Sequence, residues 1–290
     1  MKHKAFLLPV AVGAVAMFAA VGGAASPDSP QLSNVPTANT KAAGYAPSSR
    51  LSAELSQIAV AQGRMKLENP QRLLFTTENP SAPTYAATVN YPSTVDDVSG
   101  ALGRGGYEGI RDDSDGNLWI VEDQGGAFKG TTVAKIPNSF VFRYVPAHHG
   151  DLQHGKLEAL QVLNAANNPI TVESQTALDA PDQVALHTYG KVFSTKWVTI
   201  HNTANDGNAP FNANTLAKAA HATPFKRPEN GVFRPGSKFG KFFFTETGDT
   251  SDSSVENTTS GGWGGLFKLE QSDPSADTGK ISVFFKAPGR

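Results

Sequence analysis

The sequence contains no cysteine. This absence excludes a disulfide framework, a thiolate zinc site and a cysteine nucleophile. It also lacks a surplus of either charge, because 25 Lys and Arg residues stand against 26 Asp and Glu. Domains that bind nucleic acid usually carry a basic surplus, so the near balance argues against a nucleic-acid partner.

Several catalytic signatures are missing as well. No Gly-x-Ser-x-Gly, P-loop or His-Glu-x-x-His pattern occurs in the chain. The usual motifs of serine hydrolases, P-loop nucleotide enzymes and zinc proteases are therefore absent. Any hydrolytic chemistry therefore has to rest on groups other than these motifs supply.

The N-terminus has the pattern of a secretory signal peptide. A cationic start at residues 2–4 is followed by an apolar run at 5–21 and by small residues at 23–25. An uncleaved anchor is the alternative, since the run approaches the roughly 20 residues that span a bilayer. We predict a signal peptide at 1–25, a secreted or periplasmic protein, and no membrane association once the peptide is removed.

The rest of the chain is rich in turn formers, with 28 Gly and 19 Pro. This composition favours short strands joined by turns over long helices. A Ser-, Pro- and Ala-rich stretch precedes a helical pattern at 51–66. The predicted organisation is a flexible leader at 26–50, a helix and strand lead-in at 51–102 and β-propeller blades at 103–290.

Two stretches of the β-rich part repeat each other. Each begins with a glutamate, Glu108 or Glu229, and continues through an apolar strand, a second acidic residue, an aromatic strand and a Gly-Lys turn. The matching positions are about 124 residues apart, which exceeds the roughly 40–50 residues of one propeller blade. The spacing predicts two or more blades per copy, with residues 197–200 as a strand of the intervening blade.

The fold class predicted from this pattern is all-β, as an incomplete β-propeller of about three to four blades. Closed propellers usually have 4–8 blades of four strands each. Either the protein continues beyond Arg290, or closure is completed in another way.

Glutamates at the blade starts are the main candidate metal ligands. Glu108 and Glu229 stand just before inner-strand candidates, where side chains can point into a central channel. Carboxylates that converge there form a hard oxygen site suited to Ca²⁺. Glu122 and Glu246, which close the next strands, are further candidates for the same site.

Three more residues belong to this interpretation. Asp123 and Asp249 stand near the same strand ends, and the alternative for every one of these carboxylates is a solvated turn or a cap. Arg227 precedes Pro228 and is the candidate catalytic residue, because a guanidinium beside a metal carboxylate can clamp a phosphate through two hydrogen bonds. A structural salt bridge is the alternative for Arg227.

A known family resembles this part of the chain. Residues 222–231, with Arg227, followed by 240–244, resemble the Arg-Pro-Glu blade of the PhoX-like alkaline phosphatases. Residues 196–200 match the approach to that blade, and 108–120 resemble an earlier one. The resemblance covers about residues 100–290.

This resemblance implies a six-bladed propeller that is exported and hydrolyses phosphate monoesters at a cluster of calcium and iron ions. It implies Glu229 as a metal ligand and Glu108 as a weaker candidate. The iron site of the family includes a cysteine ligand, which this sequence lacks. Calcium is therefore the expected ion, and iron would need a different ligand set.

The predicted function is a metal-dependent phosphatase acting on small phosphate monoesters. Its chemistry would be metal-assisted phosphoryl transfer without a serine or cysteine nucleophile. Two alternatives remain at this stage: a non-catalytic propeller or fragment that binds a partner, and a lactonase- or esterase-like propeller with one ion on channel carboxylates.

Overall fold

The structure is a computed structural model that describes residues 72–76, 79–89, 92–127, 135–171, 180–248 and 264–286. Contacts divide the chain after Glu54, and every described residue belongs to the second unit. The predicted signal peptide, leader and 51–66 helix, together with Asp249, lie outside the described residues, so these remain predictions.

The described residues form twelve strands and four short helices. The strands are β1 (Arg72–Phe75), β2 (Tyr85–Thr88), β3 (Val95–Asp97), β4 (Tyr107–Asp112), β5 (Leu118–Glu122), β6 (Val141–Pro146), β7 (Gly155–Leu163), β8 (Val192–Asn202), β9 (Pro228–Phe233), β10 (Lys241–Glu246), β11 (Gly265–Glu270) and β12 (Thr278–Phe285). The helices are α1 (Ser99–Leu102), α2 (Pro181–Leu186), α3 (Thr203–Asp206) and α4 (Ala213–Ala219). None of these helices is long and apolar enough to span a bilayer.

The strands form two antiparallel sheets. Strands β1, β2 and β3 make a three-stranded sheet, and the other nine follow the order β4-β5-β6-β7-β8-β12-β11-β10-β9. The larger sheet contains two four-stranded meanders. We call β4–β7 the first meander and β9–β12 the second meander.

Strand β8 joins the two meanders. It is 11 residues long, and its later part pairs with β7, with Leu160 opposite Trp197. Its early part pairs with β12, with Ile281 opposite Phe193. The predicted strand at 197–200 therefore exists, but it is bonded within one sheet instead of forming an intervening blade.

The two ends of the nine-stranded sheet meet. Strands β4 and β9 contact each other, although no backbone register joins them among the described strand pairs. We call this β4–β9 contact the seam. The sheet is therefore nearly closed.

The predicted fold class is confirmed. The described part of the chain is mostly β, and its main sheet is built from four-stranded antiparallel meanders, the unit of a propeller blade. The two copies of the repeat correspond to the two meanders, because Glu108 lies in the first strand of one meander and Glu229 in the first strand of the other. The prediction of two or more blades per copy is wrong, since each copy forms one four-stranded meander.

The core inside the nearly closed sheet is aromatic. Trp119 of β5 lies edge-on to Trp197 of β8 and to Phe233 of β9, with ring centroids 5.2 Å apart in both pairs. Such edge-to-face pairs add stability to the burial of large apolar surfaces. This one residue thus links the first meander to β8 and to the second meander.

The outer faces of the two meanders differ. In the first meander, successive residues of β5 pack on opposite sides, Ile120 in one buried cluster and Trp119 and Val121 in the other. In the second meander only one face is buried, and Val232 on its other face is 52% exposed. The first meander is therefore buried on both faces, which explains its nearly continuous apolar strands.

Candidate metal centre at the seam

Glu108 occupies a β-bulge in the first meander. Tyr107 pairs with Glu122, and Gly109 pairs with Val121. Between these pairs β4 advances two residues while β5 advances one, so Glu108 is the extra residue. A bulge redirects the side chain that it carries. Here the redirected side chain is that of Glu108, and its carboxylate lies at the seam.

The second meander has an irregularity at the equivalent place. Phe244 pairs with Gly231, and Glu246 pairs with Pro228, with a register shift between them. Glu229 lies in this shifted segment of β9. The two glutamates predicted from the repeat therefore share the same local geometry as well as the same position in their meanders.

Three carboxylates meet at the seam. Glu108, Asp123 and Glu229 each offer an oxygen, and these atoms all lie within 4.8 Å of one another. Ca²⁺ holds its oxygen ligands at about 2.3–2.6 Å, so ligands on opposite sides of one ion lie about 5 Å apart. The cluster can therefore hold a hard cation. Glu108 and Glu229 lie close together, and their role as metal ligands stays a prediction.

Asp123 is the buried member of the cluster. It directly follows β5, and its backbone N–H donates to the carbonyl oxygen of Gly106 at 2.7 Å. The residue is 6% exposed, whereas Glu108 and Glu229 are half-buried. Two half-buried carboxylates and one buried one leave the site open from the solvent side.

Arg227 is bound to this cluster. Its Nε and Nη2 donate to Oδ1 and Oδ2 of Asp123 at 2.8 and 2.7 Å, a bidentate pair. The salt bridge considered as an alternative role thus exists, and its partner is a carboxylate of the candidate site. The guanidinium thus lies directly beside a carboxylate that the cluster offers to a cation.

The backbone of Arg227 is unusual. Its φ is 59°, in the left-handed region, which costs an L-residue roughly 1–2 kcal/mol. Residues held in this way are concentrated at functional sites. The conformation allows the backbone to turn into β9 while the guanidinium reaches Asp123.

The chain that leads into β9 crosses the first meander. The backbone N–H of Thr223 donates to Leu160 at 3.0 Å, and that of Phe225 donates to Ser139 at 2.7 Å. The Arg227–Asp123 pair follows two residues later. These successive contacts with β7, with the residue two positions before β6 and with the residue just after β5 fix the entry of β9, and so the position of Glu229.

Thr247 supports the cluster from the second meander. Its Oγ1 donates a hydrogen bond to Oε1 of Glu229. Thr247 follows β10 just as Asp123 follows β5, so the repeat places a ligand at one position and a hydrogen-bond donor at the other.

Glu122 lies outside the cluster. Its Oε2 accepts hydrogen bonds from Nδ2 of Asn214 at 2.9 Å and from the backbone N–H of Phe140 at 3.1 Å. Burial raises the pKa of Glu122 to about 7, and these hydrogen bonds oppose the rise. Neighbouring strand residues face opposite sides, so Glu122 turns away from the site that Asp123 joins.

Glu246 lies outside the cluster too. Its Oε2 is 3.0 Å from Nε2 of His187, and its Oε1 accepts the backbone N–H of Lys226 at 2.8 Å. Burial alone would raise the pKa of Glu246, but His187 and Lys226 outweigh it and hold the pKa below its ordinary value. Metal binding by Glu122 and Glu246 stays a prediction that this geometry does not favour.

Sequence reasoning chose Glu122 as a candidate ligand and named Asp123 only as a further carboxylate near the same strand end. The strand-closing Glu-Asp pair offers two neighbouring carboxylates, and only the bulge and strand end show which one faces the seam. Thr247 had no sequence signal of its own. The contact of Thr247 with Glu229 follows only from the pairing of β9 with β10.

Two cavities lie elsewhere on the second unit. One of about 530 Å³ is lined in part by Asn164, Asp182 and Lys191, and one of about 310 Å³ by His154 and Lys156 among others. Neither is lined by a residue of the carboxylate cluster.

We expect Glu122→Gln to flatten the pH dependence of stability. The ordinary pKa of Glu122 is 4.5 and its folded value is about 7, so the folded state binds its proton more tightly. The resulting stability is fully present below pH 4.5 and is lost as the pH rises to about 7, by about 3 kcal/mol. Urea unfolding between pH 4 and 8, with chelator present, measures this slope.

Glutamine keeps the oxygen that accepts from Asn214 and Phe140 but carries no titrating proton. The control is Glu270→Gln, which removes a carboxylate that is paired with Lys241 and Lys268 at the protein surface. If the unfolding free energy of Glu122→Gln depends on pH between 4 and 8 as that of the wild type does, the carboxyl of Glu122 does not titrate in that range.

Comparison with known proteins gives one match. No family model matches the chain, and no curated protein matches it. Among solved structures, the chain is similar to Pseudomonas fluorescens PhoX in complex with vanadate, a transition state analogue, with 17% sequence identity and a TM-score of 0.45. The match covers 70% of this chain and 35% of that one, so the chain spans about a third of the length of that protein.

Proposed function

We propose that the protein is a secreted, metal-dependent phosphatase that hydrolyses small phosphate monoesters at the seam. The observation that carries the proposal is the meeting of Glu108, Asp123 and Glu229 within 4.8 Å, with Arg227 bound to one of them. Carboxylates that share an ion beside a guanidinium form a common arrangement for binding phosphate.

Each residue has a separate role in this proposal. The three carboxylates hold the cation, and Thr247 orients Glu229 through its hydrogen bond. A bound divalent cation supplies neutralisation of phosphate oxygens and a more acidic water. Arg227 presents a guanidinium, which Asp123 anchors, to the equatorial oxygens of the phosphate.

Calcium is the proposed ion. All three candidate ligands are carboxylate oxygens, the donor type that Ca²⁺ prefers. A thiolate ligand for iron is excluded because the chain has no cysteine. The proposed secretion is supported by the signal-peptide pattern of residues 1–25.

Hydrolysis of p-nitrophenyl phosphate tests the proposal. The chelator-treated chain is expected to be inactive, and calcium is expected to restore turnover. Activity that is insensitive to chelator, or its absence from the folded, calcium-loaded chain, would contradict the proposal. Lactone hydrolysis under the same conditions would support the lactonase alternative, and no hydrolysis of either substrate would favour a binding protein.

Arg227→Met separates binding of the ion from binding of phosphate. Removing the positive charge beside Asp123 is expected to raise calcium affinity several-fold, because the cation no longer competes with a guanidinium for that carboxylate. The same change is expected to raise the KM for the ester, and the inhibition constant of inorganic phosphate, about tenfold or more. Calorimetry and steady-state kinetics measure the two effects.

The matched control is Arg234→Met, which removes an exposed arginine just after β9. It should change neither quantity more than about twofold. Weaker calcium binding in the Arg227→Met protein, with unchanged KM, would show that Arg227 only holds Asp123 in place.

A further inference from the structure

Strands β4 and β9 approach very closely at Gly109. A Cβ atom added there would lie 2.9 Å from Cα of Asn230 and 3.0 Å from the carbonyl oxygen of Glu229. Both atoms belong to the backbone of β9, so no side-chain rotation can relieve the contact. Gly109 is absent from the residues with positive φ, so the close approach, not the backbone conformation, requires glycine here.

This contact lies next to the candidate ligands on both sides of the seam. Gly109 follows Glu108 in β4, and Glu229 and Asn230 stand opposite it in β9. Among the described strand pairs no backbone ladder joins β4 to β9. Besides the contacts that fix the entry of β9, the packing at Gly109 therefore limits how closely the two strands approach beside the site, and the distance between the Glu108 and Glu229 carboxylates depends on it.

We propose that Gly109 is a positioning residue that sets the width of the cation site, and through that width the size of the ion that binds. A methyl group at residue 109 has to move β4 and β9 apart by some tenths of an ångström. The three carboxylates then fit Ca²⁺ less well and larger ions such as Sr²⁺ and Ba²⁺ relatively better. The inference rests on the cation site of the proposed function but not on phosphatase activity.

The same geometry links ion binding to closure of the sheet. An ion held by Glu108 and Glu229 joins two strands between which the described part of the chain has no backbone ladder. A ligand bound only by the closed state stabilises that state. Calcium should therefore protect the seam from local opening as well as raise overall stability.

Calcium, strontium and barium titrations of the chelator-treated full chain test the proposal. The Gly109→Ala protein is expected to bind Ca²⁺ about tenfold more weakly than the wild type, with a strontium-to-calcium affinity ratio several-fold higher. The ratio is the decisive measurement, because a loss of fold alone would lower the affinity for all three ions together. An unchanged ratio in a folded Gly109→Ala protein would overturn the proposal.

Gly279→Ala is the matched control. A Cβ there would lie 2.5 Å from the carbonyl oxygen of Glu270, so this change also forces two strands apart. Glu270 pairs with Lys241, the first residue of β10, whereas Glu246 at the other end of that strand is the residue nearest the site. The two ends are five residues, or roughly 16 Å, apart. This variant should lose stability and keep the ion ratio of the wild type.

A second variant tests the proposal if Gly109→Ala alone does not fold. The added Cβ would also lie 3.0 Å from Cγ2 of Val121, so Val121→Ala relieves that contact and leaves the contact with β9. The double variant, compared with Val121→Ala alone, should show the same shift in ion ratio. An equal ratio in these two proteins would overturn the proposal.

Hydrogen exchange of the wild type needs no substitution. Calcium should slow amide exchange in β4 and β9 more than in β12, and equal protection of the three strands would contradict the link between binding and closure. A chelator-sensitive phosphatase with an unchanged ion ratio in Gly109→Ala would reject this inference alone. A shifted ratio in a protein without phosphatase activity would reject the proposed function alone.

Discussion

Glu229→Gln is expected to lower the calcium affinity of the protein by about 100-fold or more. The change removes one of three charged ligands that lie within 4.8 Å of one another, and a hundredfold loss corresponds to about 2.7 kcal/mol of binding free energy. Glutamine keeps a side-chain oxygen at nearly the same position, so the loss of calcium affinity measures the contribution of the negative charge of Glu229. Calorimetric titration of the chelator-treated protein measures it.

The structure also says which other substitutions should match this effect. Glu108→Gln and Asp123→Asn are expected to cause losses of similar size, because both residues contribute to the same cluster. Glu122→Gln and Glu246→Gln should change the affinity less than about threefold, since each carboxylate has its partners elsewhere. A large loss of calcium affinity in Glu122→Gln and Glu246→Gln would instead support the ligand set predicted from the sequence, which includes these two residues.

The matched control is Glu270→Gln. It makes the same chemical change on β11, where the carboxylate pairs with Lys241 at 2.8 Å and with Lys268 at 2.7 Å. Calcium affinity should be unchanged in this variant. If Glu229→Gln binds calcium as tightly as this control does, the seam is not the cation site.

Glu246→Ala is expected to destabilise the fold by about 3–5 kcal/mol, the largest effect on stability that we predict. His187 Nδ1 lies 2.8 Å from the carbonyl oxygen of Gln183, so this nitrogen must carry a proton. The other ring nitrogen then faces Glu246 Oε2 at 3.0 Å, and a proton must be shared between them. Removing one partner of such a buried pair leaves an uncompensated polar group.

The pH dependence of this pair has a defined sign. The pKa of Glu246 is held below its ordinary value of 4.5 by His187 and Lys226, against the effect of burial. Its contribution is fully present above pH 4.5 and is lost as the pH falls through the lower folded value. Burial and Lys226 also hold the pKa of His187 below its ordinary value of 6.5, so the shared proton is lost as the pH rises towards neutrality. The deficit of Glu246→Ala in urea unfolding should therefore be largest at mildly acidic pH, between the folded pKa values of the two residues.

Two further proteins complete this test. Glu270→Gln, which loses only a surface carboxylate, should stay within about 1 kcal/mol of the wild type. The double change of Glu246 and His187 to alanine should cost less than the sum of the two single changes, because the residues act as a pair. Additive losses, or a single-variant loss below about 1 kcal/mol, would contradict the interaction.

The repeat in the sequence made two of the three carboxylates of the cluster predictable. The same order of acidic residue, turn and apolar strand occurs twice, and equivalent sequence positions adopt equivalent places in a meander. Glu108 and Glu229 could therefore be paired before the structure was known. Their separation in space could not, because it depends on β8 bonding to both meanders and on the close packing at Gly109.

The choice between Glu122 and Asp123 shows where sequence reasoning ends. Both residues close the same strand, and alternation along a strand sends them to opposite sides. The bulge at Glu108 and the end of β5 decide which side faces the seam, and neither has a clear signature in the residue types. The sequence points to Arg227 because it stands beside Pro228 and Glu229, but its bidentate partner Asp123 is 104 positions away.

The sequence by itself determined the all-β class, the doubled arrangement of strands, the lack of thiol chemistry and the supply of carboxylates. These properties depend on composition and local order, which act over a few residues. Only the tertiary structure decided that three of these carboxylates share one place while two others are buried with their own partners. The physical reason is that contacts across the seam join strands more than 100 residues apart, and their distance is set by packing that no local pattern records.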